Sequence, residues 1–399
     1  MNKICVLGLG YVGLPVALGV SKKFNTIGFD TNYKRINELK KGIDKNKKYK
    51  KKDFYKKKIK FSKNIKDIKN CNFYIICVPT PVNKNNLPDL SSIKKSISII
   101  SNFLKKNDIV VLESTVYPGV TKICSNYFEN KTGLKNNKDF FTCYSPERVN
   151  PGDTTKKIYK IDKVFAINSS NKKLLQNIKN IYKPISKKII FSKKIKEAET
   201  AKALENTQRD LNIALFNELL IMSNKLNLNF NEIIKLASSK WNFLNFKPGL
   251  VGGHCLPVDP YYLSYISSKN GFKTRTLLAG RYTNNFMYKY VINLILKLIK
   301  KNNLKKNIKI LIAGITYKYG VSDIRNSLNL KIFNEIKKKY QNTKIYDPFI
   351  NFTNQINNIY KIKNFKIIIF LSYRKKYKSL YTKAKSEKIF LLDPFKYYS

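Results

Sequence analysis

The segment KICVLGLGYVGLPVALGVSKK, Lys3 to Lys23, constrains this chain more than any other. Ile4 to Leu7 form a short apolar strand, a glycine turn follows, and a helix pattern begins directly after it. Gly8, Gly10 and Gly13 spell G-x-G-x-x-G. The first glycine permits the tight turn and the second lets a pyrophosphate approach the backbone. The third allows close helix–strand packing, with the helix N-terminus facing the phosphates. A second strand pattern, NTIGFD, ends in Asp30, twenty residues after Gly10 and near the spacing of an acid that binds the adenine ribose. A carboxylate there repels a 2′-phosphate, so the motif specifies NAD rather than NADP.

Three later segments repeat one design, an apolar strand that stops in polar residues: NFYIICVPTP (Asn72 to Pro81), DIVVLESTVYPG (Asp108 to Gly119) and FFTCYSPERVNPG (Phe140 to Gly152). Ligands of open parallel sheets sit outside the carboxyl ends of the strands, which is where Thr80, Glu113, Ser114, Thr115, Glu147 and Arg148 fall. Helix capping is open to each hydroxyl singly. Several such endings in one sheet read as a lined cleft.

The stretch Lys196 to Leu226 contains no Gly or Pro and predicts a long helix. Lys202, Asn206 and Arg209, spaced by four and three, share a face that could offer an ammonium and an amide to a developing oxyanion. A solvated polar stripe, helped by the Glu205 to Arg209 spacing, is the plainer reading. The apolar second half, LNIALFNELLIM, predicts burial against other helices or a second subunit.

GGHCLPVDPYYL, Gly252 to Leu263, holds the only histidine, His254, beside Cys255. The glycines let backbone approach a ligand, and Pro257 and Pro260 keep Cys255 and Asp259 out of a regular helix interior, so the segment is a loop. Asp259 before Pro260 also reads as a helix N-cap, and Cys255 as a small buried apolar group. Against that, a cysteine in a glycine-rich loop near Lys202 could form a thiolate, and thiolates attack aldehydes. A linker-like NGFKTRTLLAGRYTNNFMYKY and a helix come next. From Asn307 a new α/β pattern starts, and its turn AGITYK lacks G-x-G-x-x-G. A second dinucleotide site is therefore not expected, while Lys318 and Arg325 stand where phosphate is often held.

The fold expected is α/β, two Rossmann-like doubly wound domains joined by a long central helix, divided at 1–194, 195–304 and 305–399. The six cysteines show no paired metal spacing, and no metal site is expected. No apolar run nears the roughly 20 residues of a bilayer span, and no signal-peptide pattern opens the chain, which reads as cytoplasmic. With 78 Lys plus Arg against 25 Asp plus Glu, the formal charge is +53. The run Lys45 to Phe61 mixes lysine with aromatics as a nucleic-acid contact does. The lysine excess is spread over the whole chain rather than gathered in a patch, which speaks against a dedicated polyanion site.

Taken in order, GLGYVGLP, VPTP, ESTVYPGVT, SPERVNPGD, AKALENTQRDLNIAL, WNFLNFKPGLVGGHCLPVDPYYL, LAGRYTNNFM and GITYKYGVSDIRNS cover nearly the whole chain. Together they resemble the UDP-sugar 6-dehydrogenases, in the N-acetylhexosamine branch associated with polysaccharide biosynthesis. The resemblance implies an NAD domain, a helical middle that makes a homodimer, a UDP-binding C-terminal domain, and two successive oxidations at C6. It makes Cys255 the nucleophile, with Lys202 and Asn206 stabilising the oxyanion. Asp259 and Thr115 handle water and protons, and Glu147 is linked to thioester hydrolysis. Glu147, Arg148, Val149, Lys202, Asn206, Arg209, Gly252 and Lys318 become sugar-nucleotide contacts. The NAD contacts are Gly8, Gly10, Tyr11, Val12, Gly13, Asp30, Arg35, Thr80, Thr115 and Arg325. The UDP-glucose branch carries a second glutamate where this chain has Pro151, which points toward an N-acetylated sugar without choosing its epimer.

Overall fold

The computed structural model describes residues 2–46, 49–55, 57–148, 158–318, 321–356, 358 and 361–398. Its strands are β1 (Lys3–Leu7), β2 (Asn25–Phe29), β3 (Ile59–Ser62), β4 (Phe73–Ile76), β5 (Ile109–Leu112), β6 (Phe141–Tyr144), β7 (Lys163–Ala166), β8 (Ile189–Ser192), β9 (Ile310–Ala313), β10 (Thr343–Tyr346), β11 (Ile367–Phe370) and β12 (Phe390–Leu392). The helices are α1 (Gly13–Val20), α2 (Tyr33–Lys40), α3 (Ser91–Ser101), α4 (Val120–Thr132), α5 (Lys172–Tyr182), α6 (Ile195–Lys225), α7 (Phe230–Ala237), α8 (Asp259–Lys269), α9 (Arg275–Lys301), α10 (Leu328–Lys339) and α11 (Tyr377–Ser386). The chain divides into two compact units. One comprises Met1–Glu205 with Tyr261–Phe272, the other Asn206–Pro260 with Lys273–Ser399.

The first unit holds an eight-stranded sheet in the order β3-β2-β1-β4-β5-β6-β7-β8. Its first six strands run parallel, and the order reverses between β1 and β4, the switch point where such sheets bind ligands. Strands β1, β4 and β5 read as near-continuous apolar runs because helices cover both faces. Every residue of α1 is buried. Strand β7 pairs antiparallel with β6, so its first residue, Lys163, lies at the same sheet edge as the end of β6.

The second unit carries a four-stranded parallel sheet, β10-β9-β11-β12. The two-residue period divides its core: Ile310 and Ile312 pack with α9 and α10 residues, whereas Leu311 and Ala313 pack with Tyr377 and Leu380 of α11. Helix α6 is the predicted long helix, 31 residues and about 46 Å at the usual rise.

One expectation is corrected. The stretch read as linker-like is not a linker: from Arg275 it belongs to α9, 27 residues long. Glycine, threonine and asparagine are poor helix formers, so local propensity misleads here. Tertiary partners override it. Gly280 lets α9 press on α6, since a Cβ there would stand 2.5 Å from Leu211. Asn284 donates to the carbonyl and carboxylate of Asp210, each at 2.8 Å, and Arg281 binds the same carboxylate at 2.6 Å. Among the described residues no helix is long and apolar enough to cross a membrane.

Candidate functional site

In the first unit the glycine turn is built as the motif requires. Gly8 has φ +87°, and its N–H donates to the carbonyl of Phe29 at 2.9 Å. A side chain on Gly13 would collide with the Gly8 carbonyl, while one on Gly10 would meet nothing within 4 Å. Gly10 therefore opens onto unfilled space, the property a pyrophosphate needs. The Asp30 carboxylate, half-buried, accepts from the N–H of Leu9 at 2.8 Å and of Asn32 at 2.9 Å. Arg35 braces the turn from below: its Nε donates to the Leu9 carbonyl at 2.9 Å and its guanidinium pairs with Asp44 at 3.0 Å. Tyr11 and Val12 are half-buried at the mouth of α1. These residues fit NAD.

Thr80 and Thr115 meet at adjoining strand ends, where the Thr80 hydroxyl donates to the Thr115 carbonyl at 2.7 Å. The Thr80 carbonyl is itself held by the Tyr262 hydroxyl. Beside them lies a buried charge cluster that sequence reading resolves only in part. Lys163 Nζ is 2.8 Å from Glu113 and 3.8 Å from Glu147. Burial pushes the Glu113 carboxyl up against the pull of Lys163. For Lys163 burial acts downward, but attraction to Glu113 and then Glu147 raises it overall, so the ammonium stays charged. Glu147 thus keeps a cation beside it in a nearly closed setting. Arg148 pairs with Glu205 at 2.6 Å, and Val149 and Pro151 lie outside the described residues.

Helix α6 carries the next group. Glu199, which the sequence did not single out, is fully buried and caps α4: its carboxylate accepts from the N–H of Gly119 at 2.5 Å and of Thr121 at 2.8 Å. Burial raises its pKa, with these bonds opposing the rise. The cap fixes α6 one turn before Lys202, which is buried with Asn206, while Arg209 is exposed. The three residues share a side of the helix but not an environment.

In the second unit Asn206 donates to the Asp259 carboxylate at 2.5 Å, and both side chains are buried. Asp259 opens α8 as predicted, yet its carboxylate serves Asn206. The Cys255 carbonyl accepts from the N–H of Val258 at 3.0 Å and of Asp259 at 2.9 Å, so the cysteine sits on a tight turn against the start of α8. Of the six cysteines five are buried and Cys255 alone is partly exposed. Burial pushes the Cys77 and Cys143 thiols well up and that of Cys124 to about 12, leaving them inert. Burial, then the Arg325 charge, lowers the pKa of His254, whose imidazole is therefore neutral near pH 7. Gly252 packs under Tyr317, Lys318 is half-buried in the loop after β9, and the Arg325 guanidinium closes on Asp323 at 2.7 Å.

Comparison with known proteins agrees along the whole chain. The UDP-glucose/GDP-mannose dehydrogenase family matches in three parts, its NAD binding domain over residues 2–186, its central domain over 196–286 and its UDP binding domain over 311–397. The UDP-N-acetyl-D-glucosamine 6-dehydrogenase of Salmonella typhi is 43% identical over 88% of this chain and 83% of its own. The enzyme of the same name from Pseudomonas aeruginosa is 40% identical over the same shares. A solved structure of the UDP-D-ManNAc dehydrogenase from Pyrococcus horikoshii superposes with a TM-score of 0.86 at 30% identity, covering 96% of this chain and 93% of that one. With a dinucleotide turn that fits NAD and three consecutive domains matched in order, the chain belongs to the UDP-glucose/GDP-mannose dehydrogenase family and is an NAD-dependent nucleotide-sugar dehydrogenase.

Proposed function

We propose that the substrate is a UDP-N-acetylhexosamine, with the gluco form first, oxidised twice at C6 to the uronic acid. Bound NAD supplies the hydride acceptor for each oxidation. The remaining chemistry belongs to the chain. Cys255 adds to the aldehyde made in the first oxidation, and the resulting thiohemiacetal is oxidised to a thioester. Lys202 and Asn206 stabilise the oxyanion, because a cation and an amide donor act most strongly where charge develops. Asp259 and Thr115 move water and protons, and Glu147 assists thioester hydrolysis, its charge steadied by Lys163. Arg148, Val149, Arg209, Gly252 and Lys318 are assigned to the sugar nucleotide, and Arg325 with Arg35 to the NAD side. The observation that carries this reading is Cys255 itself, the one partly open thiol among six, on a turn beside the Asp259–Asn206 pair. The gluco preference is supported by 43% and 40% identity to enzymes named for that sugar, against 32% and 34% to relatives named for the manno form.

The reading includes a cytoplasmic homodimer that feeds a surface polysaccharide, divided at 1–194, 195–304 and 305–399. The dimer is supported by large apolar side chains left uncovered on α6, α7 and the loop that follows: Leu215 is 60% exposed, Leu236 65% and Trp241 91%. Offering UDP-N-acetylglucosamine, its galacto and manno epimers and UDP-glucose with NAD, while following NADH and product mass, tests the substrate. Cys255→Ala should abolish uronate while leaving the UDP-sugar bound. Uronate from that variant at the wild-type rate excludes the thioester route.

A further inference from the structure

Two glycines precede Cys255, and they lie directly against the loop between β9 and α10. A Cβ on Gly253 would stand 2.7 Å from the Tyr317 ring, and one on Gly252 would stand 2.8 Å from Tyr317 and 2.9 Å from the Asn326 carbonyl. The contact is also hydrogen-bonded on both sides of one residue, Gly253. The Gly253 N–H donates to the Arg325 carbonyl at 3.2 Å, and the Asn326 side-chain amide donates to the Gly253 carbonyl at 3.0 Å. Asn326 reaches this position only because its backbone is left-handed, φ +49°, a conformation asparagine tolerates better than most residues.

The loop that supplies these contacts is itself fixed. Asp323 accepts from the Arg325 N–H at 2.9 Å and pairs with its guanidinium. Ser327 caps α10 through Leu330 at 3.2 Å and donates to the Ile315 carbonyl at 2.6 Å. Upstream, the buried Asn217 amide grips both faces of Gly249, donating to its carbonyl at 3.1 Å and accepting from its N–H at 2.8 Å. Downstream, the turn onto α8 holds the Cys255 carbonyl. The thiol thus hangs between fixed points, and the nearest upstream one is the Gly253 peptide.

We propose that Asn326 is a positioning residue for the Cys255 thiol, acting through the Gly253 carbonyl and touching no substrate itself. This rests on the reading of Cys255 as nucleophile. A displaced thiol should spare the first oxidation, which does not use it, and slow the second, so the aldehyde should escape. Asn326→Asp keeps shape and tolerance of positive φ but turns the donor into an acceptor facing a carbonyl. Asn326→Gly keeps the backbone and removes the side chain, and serves if the first variant fails to fold. Both should lower acid formation at least tenfold and release aldehyde that a carbonyl trap captures. KM for the UDP-sugar and the rate of the first NADH should stay within about threefold. Iodoacetamide alkylation of Cys255, measured without substrate, should change severalfold in both. An unchanged ratio of acid to aldehyde with unchanged alkylation overturns the proposal. So does an equal loss of both oxidations with a lowered Tm, which marks a merely structural residue. Wild-type acid formation by Cys255→Ala sinks the nucleophile reading instead, and the alkylation rates still report whether Asn326 places the thiol.

Discussion

At the end of β2 and at the end of β10 this chain builds the same corner twice. Gly8 and Gly314 follow the first strand of their sheets with φ +87° and +91°, and each donates its N–H at 2.9 Å to the last residue of the neighbouring strand, Phe29 or Tyr346. An aspartate comes next in both places and grips the turn. Asp30 accepts from Leu9 at 2.8 Å, and Asp347 accepts from Ile315 at 2.9 Å and Thr316 at 3.0 Å. The difference lies in what else each acid meets. Asp30 is half-buried, with backbone N–H groups of Leu9 and Asn32 on it. Asp347 is fully buried and paired with Arg374 at 2.8 Å, whose guanidinium also bonds Thr316 and stacks over Phe349 and Tyr377. One corner leaves its carboxylate partly open. The other pairs it internally, and among the described residues the next helix begins only at Leu328.

Four substitutions sharpen or break this contrast. The largest effect should come from Arg374→Met, which strands a buried carboxylate: about 3–5 kcal/mol of stability should be lost in chemical denaturation, with NAD affinity of the folded protein unchanged. If stability barely moves, the second corner is not closed by that pair. Asp30→Asn should act the other way round, weakening NAD by about 1.5–3 kcal/mol and improving NADP relative to NAD in a comparison of KM values, with little change in Tm. Equal use of both cofactors before and after would remove Asp30 from the ribose. The smallest should be the glycine pair. Gly314→Ala places a Cβ against Ser372 at positive φ and should cost about 1–2 kcal/mol of folding stability. Gly10→Ala meets no atom within 4 Å and should fold as the wild type, its deficit confined to NAD binding. A Gly10 variant that unfolds would mean the glycine serves the fold rather than the ligand.

Local pattern made much of this legible. The first corner can be read from spacing alone, because strand, glycines and acid are near neighbours whose geometry one turn dictates. The strand ends bearing Thr80, Thr115 and Glu147 were readable for the same reason, since a strand that stops in polar residues exposes them at the sheet edge. Partners far apart in sequence were not readable. Nothing near Asp347 announces Arg374, nothing near Gly253 announces Asn326, and Lys163 joins Glu113 only because β7 runs antiparallel to β6. The α9 segment reads as a linker for a related reason: its glycine and asparagines disfavour a helix in isolation and are recruited by α6.

By itself, then, the sequence determined the α/β class, the NAD turn, the long α6 helix and the cysteine loop, all of which follow from short-range periodicity and backbone sterics. Only the tertiary structure decided which of two matching corners keeps a usable carboxylate, which of six thiols is reachable, and what holds the cysteine loop. Burial and charge pairing set those outcomes, and both depend on side chains that meet only once the chain has folded.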